Sequence, residues 1–191
     1  MKGQQTLASA SLKNLVLFGY KSSGKTYFGK RLASLLGRPF IDSDQKLEEL
    51  YAHRFHENLF CREIMRREGE SFFRSLEYEV IVALSQVKGA IIALGGGAVL
   101  REDSRDEVKS MGTLVYLDVD KEVLKARMLA PGMLTQNIPS FLDQEHPEES
   151  FERMYKLREP IYNLISEIKV TVAGKSDSEV LGELKALADI Q

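Results

Sequence analysis

The sequence contains few of the residues that build disulfide frameworks and metal sites. Its 191 residues include one cysteine, Cys61, together with three histidines and no tryptophan. A single cysteine excludes an intramolecular disulfide and argues against a cysteine-based metal site. Because unpaired cysteines are typical of a reducing compartment, we expect a cytoplasmic protein.

Long apolar runs and a large excess of charge are also missing. No stretch approaches the roughly 20 apolar residues of a transmembrane helix, and residues 1–11 are too polar for a secretory signal. The net charge of −2 does not favour bulk binding to nucleic acid or to a membrane surface. With 43% hydrophobic and 28% charged residues, the composition is that of one globular domain, and we expect small-molecule partners only.

A glycine-containing segment near the N-terminus, GYKSSGKT from Gly19 to Thr26, matches the phosphate-binding pattern G-x-x-x-x-G-K-[ST]. An apolar run that predicts a buried strand precedes it, and a helical pattern over 27–36 follows, which argues against a chance match in a turn. The two glycines allow backbone N–H groups to surround a phosphate at the positive end of the helix. The predicted ATP-binding residues here are Gly19, Lys21, Ser22, Ser23, Gly24, Lys25, Thr26 and Tyr27. Lys25 is expected to reach the β- and γ-phosphates, and Thr26 to ligate Mg²⁺.

Strand-like apolar runs alternate with helical patterns along the rest of the chain. The runs lie at 15–18, 39–41, 90–94, 113–119 and 169–172, which predicts an α/β fold with a parallel sheet of about five strands and helices on both faces. Residues 43–87 interrupt this alternation as a long, charged helical segment, which we interpret as an insert. Residues 130–147 are rich in proline and polar residues, and they predict a mobile lid rather than a plain surface loop.

Two carboxylates follow the second predicted strand, in the run Asp42-Ser43-Asp44. At a strand end, one carboxylate can face a metal ion while the other faces an acceptor hydroxyl. Asp44 or Ser43 could also act as the N-cap of the next helix, and capping is compatible with a function in the site.

Three consecutive glycines, Gly95, Gly96 and Gly97, follow the third predicted strand. Their backbone N–H groups could meet an oxygen of a ligand, although a tight turn without ligand contact fits them as well. Arg74 and Arg158 lie near apolar helical faces. A guanidinium group suits a carboxylate, but a single arginine of this kind more often forms a surface ion pair, in the case of Arg74 with Glu77.

Together these segments resemble the shikimate kinases, a family of the nucleoside-monophosphate-kinase-like P-loop group. The resemblance covers residues 12–185 as a single domain and implies a three-layer fold with a central parallel sheet. It rests on five segments in the family's order: residues 19–26, 40–44, 63–77, 94–99 and 158–162. The phosphate-binding loop alone would indicate only a superfamily, whereas the set is specific to this family.

The resemblance implies transfer of the γ-phosphoryl group of ATP to the 3-hydroxyl of shikimate, with Mg²⁺ as cofactor, in a monomer. Lys25 and Asp44 would be catalytic, and Thr26 and Asp42 would support the metal. The residues implied to bind shikimate are Asp44, Arg74, Gly95, Gly96, Gly97 and Arg158. Arg127 and Lys175 would flank the adenine, and the insert at 43–87 would be the shikimate-binding part.

One departure from the family concerns the lid. Shikimate kinases usually carry an arginine there that folds over the phosphates, whereas this chain has no lysine or arginine between Ala130 and Glu152. In related phosphoryl-transfer systems such an arginine contributes a factor of roughly 10³–10⁵ in rate. Lys21, Arg127 and Arg153 are the candidate substitutes, and we hypothesise that Lys21 or Arg153 contributes.

Two other functions remain open from the sequence. Another small-molecule kinase of the same architecture, such as a gluconate kinase, would share the phosphate-binding loop but not the full set of segments. A non-catalytic nucleotide-binding protein would bind ATP without turnover that depends on an acceptor.

Overall fold

The computed structural model describes residues 12–130, 139, 142–143 and 145–189. Its centre is a five-stranded sheet in which every pairing is parallel, in the order β2-β3-β1-β4-β5. The strands are β1 (Asn14–Phe18), β2 (Phe40–Asp42), β3 (Ile91–Ala93), β4 (Gly112–Asp118) and β5 (Ile168–Thr171). The predicted α/β fold with a parallel sheet of about five strands is therefore confirmed.

The middle strands are buried because helices cover both faces of the sheet. All five residues of β1 are buried, and Val16 pairs with Ile92 of β3 on one side and with Leu114 of β4 on the other. Continuous apolar strands of this kind are typical of parallel sheets, whose crossover helices exclude water from both faces. The carboxyl ends of β1, β2 and β3 consequently lie side by side, followed by the phosphate-binding loop, the Asp42–Asp44 run and the glycine triplet.

The helices within the described ranges follow the strands along the chain. They are α1 (Lys25–Leu36), α2 (Ser43–Phe55), α3 (Cys61–Glu68), α4 (Glu70–Ser85), α5 (Glu102–Met111), α6 (Lys121–Met128), α7 (Pro147–Ile165) and α8 (Asp177–Asp189). The 43–87 segment thus folds as α2, α3 and α4. None of the helices in the described part of the chain is both long and apolar enough to cross a membrane.

Helix α1 is packed closely on the sheet. It begins directly after Gly24, whose φ of +99° lies in the left-handed region that favours glycine, and it ends at Gly37 in the same region. A Cβ at Gly29 would lie 2.6 Å from the Phe40 ring, so glycine allows α1 to approach β2 closely. This packing fixes the N-terminus of α1, and with it the phosphate-binding loop, above the sheet.

The predicted lid at 130–147 falls largely outside the described residues. Near its end, Pro139 and Leu142 are buried, and the Asp143 carboxylate accepts hydrogen bonds from the backbone N–H groups of Glu145 and His146 at 2.7 and 2.9 Å. These bonds fix the chain just before α7 begins at Pro147.

Candidate active site

A large cavity of about 1220 Å³ opens at the carboxyl ends of β1, β2 and β3. Clefts at this edge of a parallel sheet are the usual ligand sites of such folds. Most of the side chains that the sequence predicted for ATP, metal and acceptor meet here. The predicted residues that line the cavity are Lys21, Ser22, Gly24, Lys25, Thr26, Tyr27, Asp42, Asp44, Arg74, Gly96, Gly97 and Arg158.

Three of the predicted site residues lie beneath the cavity and support its walls. At Gly19, φ is +140° and a Cβ would lie 3.0 Å from the Leu117 carbonyl oxygen, so this glycine lets the loop pack against β4. Ser23 is fully buried, and its N–H donates to the Tyr20 carbonyl at 3.3 Å. Gly95 is also buried, and its N–H donates to the Ser43 hydroxyl at 2.8 Å. The N–H of Gly95 is therefore engaged within the protein, contrary to the expectation of a free donor.

Arg127 and Lys175, assigned to the adenine by resemblance, are not among the residues that line this cavity. Arg127 is exposed and donates to the carbonyl oxygen of Ser22, in the phosphate-binding loop, at 3.1 Å. Lys175 pairs with Glu183 at 2.6 Å. The contact of both residues with a base stays a prediction.

The phosphate-binding loop holds its lysine in a preformed position. The Lys25 ammonium is buried and donates to the carbonyl oxygens of Gly19 and Tyr20 at 3.0 and 2.7 Å. Burial lowers the pKa of Lys25 to about 8, although Asp44 and Asp42 oppose this shift. Ser22 has φ +65°, an uncommon conformation for a residue other than glycine. The loop thus carries some strain, as phosphate and ligand clamps often do.

Asp42 joins the loop to the second strand. Its Oδ2 accepts a hydrogen bond from the Thr26 hydroxyl at 2.8 Å, and its Oδ1 accepts from the backbone N–H of Asp44 at 3.0 Å. The N-cap of α2 is therefore Asp42, and the expectation that Asp44 or Ser43 caps this helix was wrong. The helix begins one or two residues earlier than these caps would give, because the Asp42 side chain itself accepts the N–H of Asp44.

Thr26 and Asp42 supply the oxygen ligands that suit magnesium. Among the described residues there is no cluster of three or more His, Cys, Asp or Glu side chains that could hold a metal by itself. One hydroxyl and one carboxylate fit an ion that takes its other ligands from phosphate oxygens and water, as Mg²⁺ does in kinases. The donor set is compatible with Mg²⁺ carried by ATP.

Asp44 is the carboxylate on the acceptor side of the cavity. Its side chain opens onto the cavity, but the loss of bulk solvent inside the cavity and the neighbouring charge of Asp42 raise its pKa to about 6. Lys25 and Lys21 oppose this shift. At neutral pH Asp44 is ionised, yet its pKa is close enough to neutrality for a proton acceptor.

The two predicted arginines lie on neighbouring walls. Arg74 is largely buried and forms an ion pair with the buried carboxylate of Glu77 at 2.7 Å. Arg158 is buried and donates to the Gly96 carbonyl oxygen at 3.3 Å. The Tyr162 hydroxyl donates to the same carbonyl. Arg74 does form the ion pair with Glu77 that the sequence left open, and it lines the cavity as well.

The glycine triplet provides space for these side chains. None of the three has a φ in the left-handed region, so their conformation does not require glycine. A Cβ at Gly95 would collide with the Asp44 carboxylate, and one at Gly97 would collide with the Arg74 guanidinium group. The sequence singled out the right residues, but their absent side chains matter at least as much as their N–H groups.

Sequence reasoning did not single out the aromatic support under the loop. Tyr20 is fully buried, its ring stacks on Tyr155 with centroids 4.9 Å apart, and its hydroxyl donates to the Tyr155 carbonyl at 3.1 Å. Its ring also meets Tyr162 edge-on at 4.7 Å. A tyrosine inside the phosphate-binding motif was the available signal. Through it the loop packs against α7, which also carries Arg158.

Fold and site together define a class. The site has a phosphate-binding loop with its lysine and an oxygen pair that is compatible with magnesium. Across the same cavity lies a carboxylate beside two guanidinium groups. These are the parts of a P-loop kinase for a small anionic acceptor.

Comparison with known proteins gives the family. The family model described as shikimate kinase matches residues 21–188. The shikimate kinase of Syntrophus aciditrophicus is 32% identical over 90% of this chain and 89% of its own length. That of Bartonella henselae is 35% identical over 83% of this chain and 70% of its own length. A solved structure of the Acinetobacter baumannii shikimate kinase in complex with shikimate is similar with a TM-score of 0.79, at 29% identity and 92% coverage of both chains. The chain belongs to the shikimate kinase family.

Proposed function

We propose that this chain transfers the γ-phosphoryl group of ATP to the 3-hydroxyl of shikimate, giving shikimate 3-phosphate and ADP. The observation that carries the proposal is one cavity in which Lys25 of the phosphate-binding loop shares the lining with Asp44, Arg74 and Arg158. Membership of the shikimate kinase family supports this choice of acceptor. Placing donor and acceptor in one cavity supplies the positioning on which phosphoryl transfer depends.

On the ATP side, the loop backbone and Lys25 bind the β- and γ-phosphates. Lys25 exchanges its two carbonyl partners for phosphate oxygens, and the approach of a polyanion raises its pKa and keeps it protonated. Thr26 and Asp42 would hold the magnesium ion of Mg·ATP, and the ion would supply neutralisation of phosphate charge there. Arg127 and the region of Lys175 lie against the adenine.

On the acceptor side, Arg74 and Arg158 bind the shikimate carboxylate, because two guanidinium groups can form several charge-assisted hydrogen bonds to it. Glu77 holds Arg74 in orientation through their 2.7 Å ion pair. Asp44 accepts a hydrogen bond from the attacking 3-hydroxyl and takes its proton as the bond to phosphorus forms. Gly96 and Gly97 leave room for the ring of the acceptor.

The alternatives predict different turnover. A gluconate kinase would use gluconate in preference to shikimate, and a binding-only protein would use neither. The presence of Lys25, Thr26, Asp42, Asp44 and both arginines in one cavity argues against a degenerate site.

The test is ADP release from Mg·ATP with shikimate, with gluconate and without acceptor, and with Lys25→Ala as the blank. We expect strong stimulation by shikimate alone, lost in the variant. ATP binding without stimulation by shikimate would reject the proposed acceptor. Light scattering of the same preparation tests the expected monomer.

A further inference from the structure

Phosphoryl transfer needs positive charge around the phosphoryl group while it moves from donor to acceptor. The lysine and arginine side chains near the site are the protein's source of that charge. The transferred group carries charge on its three equatorial oxygens, and cations that touch them account for a large part of the rate. Residues 131–152 contain no lysine or arginine. Among the described residues, the basic side chains that line the cavity are Lys21, Lys25, Arg62, Arg74, Arg153 and Arg158.

Most of these basic side chains already have partners. Lys25 binds the loop carbonyls, Arg74 pairs with Glu77, and Arg153 pairs with Glu149 at 3.7 Å. Arg158 contacts Gly96, and Arg62 lies over the Phe60 ring. Lys21 is different, because its ammonium has no hydrogen-bond or ion-pair partner among the described residues.

Lys21 also lies where the two halves of the site meet. Its backbone nitrogen is 3.3 Å from the position that a Cβ at Gly96 would take, so the phosphate-binding loop and the glycine triplet touch at this residue. Its charge lowers the pKa of both Asp44 and Lys25. The ammonium is therefore within electrostatic range of the acceptor-side carboxylate and of the lysine that holds the phosphates.

We propose that Lys21 is a further catalytic residue, whose ammonium contacts the phosphoryl group while it passes from ATP to the acceptor. The inference rests on the proposed kinase function and adds the side chain that supplies positive charge to the transferring phosphoryl group. An exposed lysine without a partner can move onto the phosphoryl oxygens without breaking an existing ion pair. Arg153, the other candidate, is two-thirds exposed and paired, and it lies on α7 rather than in the loop that binds the phosphates.

The test compares Lys21→Met and Lys21→Arg with wild type, and uses Lys185→Met as the control. Lys185 is also exposed, but it lies on α8 away from the cavity. We expect Lys21→Met to lower kcat by about 10²–10³-fold, with the KM values for ATP and shikimate changed less than about threefold. Lys21→Arg should recover most of the rate, and Lys185→Met should equal wild type.

A binding measurement distinguishes two roles of Lys21: stabilising the phosphoryl group during transfer, or supporting the structure of the site. The complex of ADP, aluminium fluoride and shikimate mimics the transferring phosphoryl group. Lys21→Met should weaken aluminium fluoride binding in this complex about 100-fold and leave the affinities for ADP and shikimate unchanged. A weaker affinity for ADP alone would make Lys21 a plain ATP-binding residue and overturn the inference.

The outcomes also distinguish this inference from the proposed function. If wild type shows no shikimate-dependent ADP release, the function itself fails. If wild type is active and Lys21→Met is equally active, only the role of Lys21 fails. A loss of kcat in Arg153→Met with none in Lys21→Met would assign the charge to α7 instead.

Discussion

At the scale of single residues, the site combines an acid and a base whose pKa values are both displaced towards neutrality. Asp44 has a pKa of about 6 and Lys25 one of about 8. In each case loss of solvent is the largest cause, and it disfavours the charged form of both groups. Between these two pH values both side chains are ionised, which is the state that binding of phosphate and activation of a hydroxyl require.

The raised pKa of Asp44 predicts how activity depends on pH. Below about pH 6 the carboxyl is protonated and loses its ability to accept the proton of the hydroxyl. The kcat/KM for shikimate, which reports the enzyme form that binds shikimate, should therefore fall about tenfold per pH unit below this value. A pH series at saturating Mg·ATP measures it. Asp44→Asn should have very low activity at every pH, and an acid limb near pH 4 in wild type would contradict the assignment.

Because Gly97 has no side chain, the Arg74 guanidinium can lie against it, and we expect a substitution at Gly97 to weaken the binding of shikimate. Gly97→Ala places a methyl group against the Arg74 guanidinium, the far end of a flexible side chain, so the arginine moves and the fold survives. We expect the KM for shikimate to rise at least tenfold, with the KM for ATP nearly unchanged, as steady-state kinetics would show. The control is Gly182→Ala on α8, where nothing lies within 4 Å of the new Cβ. Equal KM values for shikimate in both variants would show that the space left by Gly97 is not needed for Arg74 to bind shikimate.

The glycine triplet also shows how far residue-level prediction reaches. The sequence marks Gly95 and Gly97 as unusual, but their collision partners, Asp44 and Arg74, are distant along the chain. Which residue needs the space becomes evident only when β2, β3 and α4 are assembled. The same applies to Ser43, whose hydroxyl accepts from the Gly95 N–H across 52 residues.

At the scale of elements, one side chain at the junction of β2 and α2, that of Asp42, has two functions. Asp42 caps α2 with one carboxylate oxygen and accepts from the Thr26 hydroxyl of α1 with the other. The cap stabilises the start of the helix by about 1 kcal/mol. The same contact fixes Asp44 two residues later, so helix stability and site geometry are coupled.

This coupling can be separated with two substitutions. Asp42→Ser keeps a capping oxygen and loses the charge, whereas Asp42→Ala loses both. We expect Asp42→Ser to retain nearly all of the unfolding free energy and Asp42→Ala to lose about 1 kcal/mol, measured by urea denaturation. Both should need several-fold more Mg²⁺ for half-maximal activity. If the Mg²⁺ requirement is unchanged in both, Asp42 does not support the metal and acts only as a cap.

The five strands and α1 were predicted to within one or two residues, because buried parallel strands are continuous apolar runs and helices have a distinct period. The order of the strands was not predicted. It depends on which helix covers which face, as when Gly29 lets α1 lie against Phe40. The N-cap of α2 was misassigned for a local reason, since three successive residues, Asp42, Ser43 and Asp44, all have side chains that can cap a helix, and Asp42 is the one that accepts a backbone N–H.

At the scale of the whole molecule, the two substrates are bound by different parts of the chain. The ATP side is built from the loop and α1, while the acceptor side is built from α2, α4 and α7 around the glycine triplet. Contacts between them include the Tyr20 ring of the loop, which stacks on Tyr155 of α7, and the Asp42 carboxylate, which accepts from Thr26 of α1 and caps α2. Lys25 on one side and Arg74 on the other have no hydrogen-bond or ion-pair partner in common, so substitution of either should leave binding on the opposite side largely intact.

Ligand-induced stabilisation tests this division. A ligand at 100 times its Kd adds about 2.7 kcal/mol, which for a chain of this size raises Tm by roughly 5–10 °C. Shikimate and Mg·ATP should each produce such a shift in wild type, and gluconate should produce none. In Arg74→Lys we expect the shikimate shift to vanish, because a point charge does not reproduce the planar two-pronged contact of a guanidinium group, while the Mg·ATP shift persists. Lys25→Ala should show the reverse pattern. Loss of both shifts in either variant would mean that the two sides fold as one cooperative site, and a full shikimate shift in Arg74→Lys would remove Arg74 from the carboxylate site.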